Sequence, residues 1–243
     1  MPRRDFDLES LAKYLHLSPQ QVQKLVDRGK VPGRRIGGEW RFSRDEIHHW
    51  LEDRIGAADD ADLAQVEQVL RTSRALTDED PLRIHELLLP EAIAIPLPAR
   101  TRKSVIRSMV DLVAKTGLVW DIDRVLEAVE QREILHPTAL DCGVALLHPR
   151  RPMTASVAQP LLAMGRTTQG LPFGAAGGQL TDIYFLIMST DDAGHLNTLA
   201  RLSRMLSADG FLDALREATS PGDVLAAMEQ FDGLFESPSE SSS

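Results

Sequence analysis

The chain of 243 residues has a single cysteine, Cys142, few aromatic residues (5%) and no long apolar run. One cysteine excludes an intrachain disulfide framework and fits a reducing compartment. Cys142 falls in an expected strand, where a thiol packs as a small hydrophobe. Without an uninterrupted apolar stretch there is no helix to span a bilayer, and Met1-Pro2-Arg3-Arg4-Asp5 lacks the apolar segment of a signal peptide. A cytoplasmic protein without membrane insertion is expected. The seven histidines do not have the spacing of a zinc site, and no Walker-type loop is visible. No metal and no cofactor is expected.

What is present is charge, unevenly divided. The net charge is -9. Residues 1–54 hold 11 Lys/Arg and 9 Asp/Glu, whereas residues 55–243 hold 16 and 27. A slightly basic start joined to a strongly acidic remainder predicts two domains with different partners.

In the first segment Leu8, Leu11, Ala12 and Leu15 have helical spacing. Ser18 and Pro19 then suit the cap and first position of a second helix that turns Val22, Leu25 and Val26 inward. Gly29 ends it. Gly37-Gly38 predicts a tight hairpin between Ile36 and Trp40-Arg41-Phe42. Ser43 and Glu46 form the capping box of a third helix that buries Ile47, Trp50 and Leu51. Two short helices about a tight turn make a helix-turn-helix candidate.

Residues 55–81 read as a join, with Leu63, Val66 and Leu70 on one face of a short linker helix. From Leu82 onward strand-like and helix-like segments alternate. Strands are expected at 92–97, 143–147 and 183–188, and helices at 102–115, 121–132, 194–206, 211–218 and 221–230, which predicts an α/β domain with a central sheet. Residues 233–243 are serine-rich and expected to be a disordered tail.

One stretch in this region carries chemistry. Arg132-Glu133 is followed by a polar turn, the apolar run Gly143-Val144-Ala145-Leu146-Leu147 and then His148. A histidine at the end of a buried strand is held rigidly, with its ring expected to face solvent. His16, His48, His49 and His85 lie in less suggestive settings, and His136 reads as a loop histidine beside the Arg132 turn.

Two resemblances follow from these residues. Asp7–Leu15, Ser18-Pro19-Gln20-Gln21-Val22, Lys30-Val31-Pro32, Gly37–Phe42 and Trp50-Leu51 resemble the excisionase-type helix-turn-helix domain, a relative of the MerR-type winged helices. That resemblance implies DNA binding by residues 1–54, with the second helix in the major groove and the hairpin as a wing. Gln20, Gln21, Gln23 and Lys24 can then reach base edges or phosphates, and Arg34, Arg35 and Arg41 supply positive charge. One such domain reads few base pairs, so useful affinity calls for a homodimer or tandem partners.

The second domain, placed at 82–232, resembles the fructose/mannitol-type enzyme IIA of the phosphoenolpyruvate-dependent phosphotransferase system, nearest in pattern to the nitrogen-regulatory members. Leu88-Leu89-Pro90-Glu91-Ala92-Ile93, Arg132-Glu133, Thr138, Gly143–His148 and His195-Leu196 carry it, in family order. It implies a central mixed sheet flanked by helices, a phosphoryl group accepted on His148, and Arg132 and His195 beside it. The implied donor is a histidine phosphocarrier protein. The chain departs from the family at Leu147, where proline is usual, and in the following Pro149-Arg150-Arg151. The expected function is a DNA-binding regulator that reports phosphotransferase flux. The alternatives are a phosphocarrier that passes phosphate to a sugar permease, and a regulator that no longer takes phosphate.

Overall fold

The computed structural model describes residues 5–15, 17–44, 46–47, 50–51 and 83–235. They fall into two compact units, one within residues 1–81 and the other within 82–243. The linker helix expected around Leu63, Val66 and Leu70, and the serine-rich end from residue 236, lie outside the described residues.

The first unit holds helices α1 (Leu8–Tyr14) and α2 (Pro19–Asp27). Each begins at a side-chain cap. Asp7 Oδ1 accepts from the Ser10 amide at 2.7 Å, and Ser18 Oγ accepts from the Gln21 amide at 3.2 Å. Leu11, Ala12, Val22 and Val26 form the seam between the helices. The hairpin pairs β1 (Arg34–Ile36) with β2 (Glu39–Arg41), Arg35 opposite Trp40. Its turn needs positive φ at both central positions, and Gly37 and Gly38 supply 62° and 87°. Phe6 and Phe42 exchange backbone hydrogen bonds and bury both rings. Ile47 and Leu51 are helical and buried, as the third-helix pattern expects.

In the second unit a short 3-10 helix (Ile84–Leu87) precedes β3 (Leu88–Ala94), α3 (Arg102–Lys115), α4 (Ile122–Leu135) and β4 (Val144–Leu147). After these come β5 (Leu161–Pro172), β6 (Leu180–Met188), α5 (Asp192–Ser207), α6 (Phe211–Glu217) and α7 (Pro221–Gly233). The four strands form one sheet in the order β3-β5-β6-β4. β3 runs parallel to β5 and β4 parallel to β6, whereas β5 and β6 are antiparallel, so the sheet is mixed. α3 packs on β3 and β5 through Val105, Ile106, Met109 and Val110, and α5 packs on β6.

Three local features differ from the sequence expectation. The sequence pattern predicts no strand where the longest one, β5, lies. β3 starts at Leu88, four residues early, and its register shifts between Leu88 and Ile93, around Pro90, which has no amide to donate. Cys142 is exposed in the turn before β4 rather than in the strand core.

Both ends of this unit meet in a buried cluster. Asp232 of α7 is fully buried. It accepts from Arg201 Nε of α5 at 2.6 Å and lies 2.9 Å from His85 Nδ1 at the start of the unit. Beyond α7, the Phe235 carbonyl accepts from Arg201 Nη1 at 2.7 Å, so the described chain stays bonded to α5 as far as Phe235.

Candidate functional site

The turn into β4 is tightly specified. Gly143 has φ +86°, and a Cβ there would lie 2.9 Å from Arg216 Nη2 and 3.1 Å from Asp182 Oδ1. Arg216 of α6 donates to the Cys142 carbonyl at 2.9 Å and to Asp182 at 3.0 Å, pinning the strand's start to β6. On its other side β4 is held by Leu140 N to Val144 O, 2.7 Å, and by Leu146 N to Thr138 O, 3.2 Å. All four β4 residues are buried, and His148 follows directly.

The His148 ring folds back along its own strand. Its Nδ1 lies 2.8 Å from the Leu146 carbonyl. A carbonyl can only accept, so Nδ1 carries the proton and the lone pair of a neutral ring sits on Nε2. The His195 ring packs against it, centroids 4.9 Å apart at 57°. His195 stands in the first turn of α5, which Asp191 caps, and its Nδ1 is 3.3 Å from Ser189 Oγ just beyond β6. The two histidines are thus brought together from the ends of neighbouring parallel strands, His148 directly after β4 and His195 on the helix that follows β6. Each is only 3% exposed. The His148 ring therefore does not face solvent as expected, because the carbonyl tether and the second ring hold it beneath the surface.

α4 continues to Leu135, so Arg132-Glu133 lies on a helical last turn. Arg132 is buried, and its Nη1 donates to the His136 carbonyl at 2.8 Å, closing the helix end. It lines the same groove as Pro149, the residue after His148. Glu133 is 2% exposed and works as a clasp. It accepts from Thr138 Oγ1 at 2.7 Å, from the Thr138 amide at 3.1 Å, and from Arg102 Nη2 at 2.8 Å. Because Thr138 in turn holds Leu146, Glu133 positions the His148 strand through one intermediate residue. Arg102 and Ser189 carry no signal in the sequence, because their neighbours are assembled only by the fold.

Leu147, where the family usually has proline, pairs with Leu186 of β6 and is fully buried. Alternation along β4 turns its amide toward β6, so leucine extends the ladder by a donor that proline lacks.

In the first unit, Gln20 and Lys24 are exposed on α2. Gln21 Oε1 accepts from the Ser18 amide at 2.8 Å, and Gln23 Nε2 donates to Asp27 at 2.7 Å, so both are engaged within the helix. On the hairpin, Arg34 pairs with Asp5 at 3.0 Å and Arg41 with Glu39 at 2.9 Å. Arg35 lies over the Trp40 ring at 5.2 Å. No described helix is long and apolar enough to cross a membrane.

Comparison with known proteins matches both segments. Residues 86–231 match the family described as phosphoenolpyruvate-dependent sugar phosphotransferase system, EIIA 2, and residues 6–55 match a helix-turn-helix domain. A nitrogen regulatory protein of Bradyrhizobium diazoefficiens is 33% identical over 59% of this chain and 94% of its own length. The fructose-specific EIIABC component of Bacillus subtilis is 31% identical over 62% of this chain, but the match spans only 24% of that protein. The crystal structure of nitrogen regulatory protein IIA-Ntr from Neisseria meningitidis superposes with TM-score 0.55 at 24% identity, covering 60% of this chain and 98% of that one. That likeness fixes the fold. A mixed four-stranded sheet, a family match over 86–231 and a helix-turn-helix ahead of it converge, and the chain belongs to the phosphoenolpyruvate-dependent sugar phosphotransferase system EIIA 2 family, joined to an N-terminal helix-turn-helix domain.

Proposed function

We propose that this chain is a cytoplasmic DNA-binding regulator whose EIIA domain accepts a phosphoryl group on His148 from a histidine phosphocarrier. Its working parts are a DNA-binding domain over residues 1–54, a join over 55–81 and a phosphoryl-accepting domain over 82–232. The observation that carries the reading is the ring pair. His148 presents a lone pair on Nε2, fixed by the Leu146 carbonyl, with His195 4.9 Å away and Arg132 on the adjoining groove wall.

In the transfer, the Nε2 lone pair attacks phosphorus and the donor's N–P bond breaks. That bond's electron pair returns to the donor imidazole. The His148 ring gains positive character, which its Nδ1–H disperses onto the Leu146 carbonyl. Arg132 and His195 are suited to donate to the three oxygens that carry the charge. Because the rings are buried, docking must displace what covers them.

On the DNA side, exposed ion pairs such as Arg34–Asp5 and Arg41–Glu39 contribute about 0–1 kcal/mol each. Phosphates can therefore recruit these arginines at little cost. Lys24 and Gln20 are the α2 side chains best placed to reach bases or backbone, and two copies are needed for a site of useful length.

The deciding experiment is incubation with labelled phosphoenolpyruvate, enzyme I and the histidine phosphocarrier. Label should appear at His148 as the Nε2 isomer and be absent from His148→Ala. No label on the wild-type chain leaves a regulator that works by contact alone. Onward transfer to a permease domain favours a carrier role. In a salt-dependent mobility shift, substitution of Lys24 and Arg35 should weaken DNA binding, and indifference would count against this surface.

A further inference from the structure

α4 and the segment 149–156 enclose a groove of about 600 Å3, within the size range of small-molecule sites. Its charged lining is four arginines, Arg124, Arg132, Arg150 and Arg151, against one carboxylate, Glu127. That sign is the reverse of the net charge of residues 55–243, which hold 16 Lys/Arg and 27 Asp/Glu. Clustered like charge in a concave wall attracts and concentrates a counter-anion.

Two polar groups in this groove are buried. Arg132 is 4% exposed, with its guanidinium fixed by the His136 carbonyl. Ser156 is 1% exposed, and its Oγ has no hydrogen-bond partner among the described residues. A buried hydroxyl left in that state is costly, and an oxygen supplied by a ligand removes the cost. The wall holding Ser156 is also rigid. Trp120 Nε1 donates to the Ala155 carbonyl at 2.6 Å, the Trp120 amide donates to the Ser156 carbonyl at 3.1 Å, and the Met153 amide donates to Ser189 at 3.1 Å. The groove is therefore organised before anything binds.

We propose that this groove is a binding site for a small organic anion carrying at least two negative charges, a phosphorylated or polycarboxylated metabolite. One anionic group sits between Arg132 and the Ser156 hydroxyl, and the rest extends toward Arg150 and Arg151. Planar guanidinium forks suit phosphate and carboxylate equally, so the arginines select the charge and the number of oxygens. Phosphoryl acceptance at His148 makes no use of Arg124, Arg150, Arg151 or Ser156, and the anion site does not depend on it. The two meet at Arg132, so a bound anion slows phosphoryl entry to His148 by competition. This gives the chain a second input, a metabolite level, alongside the phosphorylation state of the carrier.

The test is isothermal titration of the unphosphorylated full chain with pyrophosphate and, separately, with citrate, at low and at raised salt. One anion per chain should bind, more weakly in salt. Arg150→Ala combined with Arg151→Ala should weaken it by about tenfold or more, and Ser156→Val by a smaller factor. The exposed double-arginine variant, checked by circular dichroism, keeps the test valid if Ser156→Val does not fold. Binding of pyrophosphate alone assigns a phosphoryl ligand, and of citrate alone a carboxylate ligand. Three results would overturn the proposal: neither probe binds, binding is unchanged in the double-arginine variant (an adventitious ion only), or a glutamate-rich peptide binds where both small anions fail. Phosphotransfer to His148 is scored in a separate reaction, so loss of either conclusion leaves the other standing.

Discussion

At the scale of single residues, the site depends on a carboxylate that touches neither histidine. Glu133 joins Arg102 of α3 to Thr138, and Thr138 holds the His148 strand. Replacing it by glutamine keeps the shape but removes the charge that Arg102 faces and one strong acceptor. Glu133→Gln should lower the unfolding free energy by about 1–3 kcal/mol in urea titrations and slow labelling of His148. Wild-type stability in that variant would show that the clasp does not depend on the carboxylate. His148, His195 and Arg132 were legible in the sequence because each sits in a patterned stretch, at a strand end, a helix start or a helix end. Ser189 and Arg102 were not, since a lone serine and an arginine 31 positions from its partner acquire meaning only through folding. Burial of the His148 ring was equally illegible, because it depends on a bond from Nδ1 to a carbonyl two residues back.

At the scale of elements, the helices of the EIIA domain lie where caps and apolar spacing predict them, and one strand, β5, carries no such signal. The helices announce themselves by caps and by apolar spacing, as at Ser18-Pro19 and Ser220-Pro221. β5 does neither. Its buried run Leu161–Met164 has no alternation, and Gly165 and Gly170 interrupt the rest. Gly165 has a reason that only packing reveals, since a Cβ there would lie 2.8 Å from Met109 Sδ of α3. The second helix of the helix-turn-helix unit offers a clean measurement. Ser18→Ala should cost that unit about 1 kcal/mol, seen as faster amide exchange over residues 19–27 with exchange in β6 unchanged. Equal exchange in both proteins would mean that the cap contributes nothing there.

At the scale of the whole molecule, pH acts through a buried phenol. Desolvation pushes Tyr184 up to about 12 from its ordinary value of 10.0. The folded state therefore holds this proton where the unfolded chain has lost it. Stability from this group is fully present below the ordinary value and is lost as pH rises toward the raised one. Alkaline unfolding titrations should show that decline in the wild type and a shallower one in Tyr184→Phe. The clasp at Asp232 has a consequence of a different kind, for the order of events during synthesis. Arg201 and His85 meet their shared carboxylate near the end of the described chain. A nascent chain still lacking residue 232 has the sheet's sequence but not the charge that lets Arg201 be buried. Completion of the EIIA fold should therefore wait for α7 to leave the ribosome: chains held there by a linker that fills the exit tunnel should remain protease-sensitive when the domain stops at residue 231 and become resistant when it continues past 235.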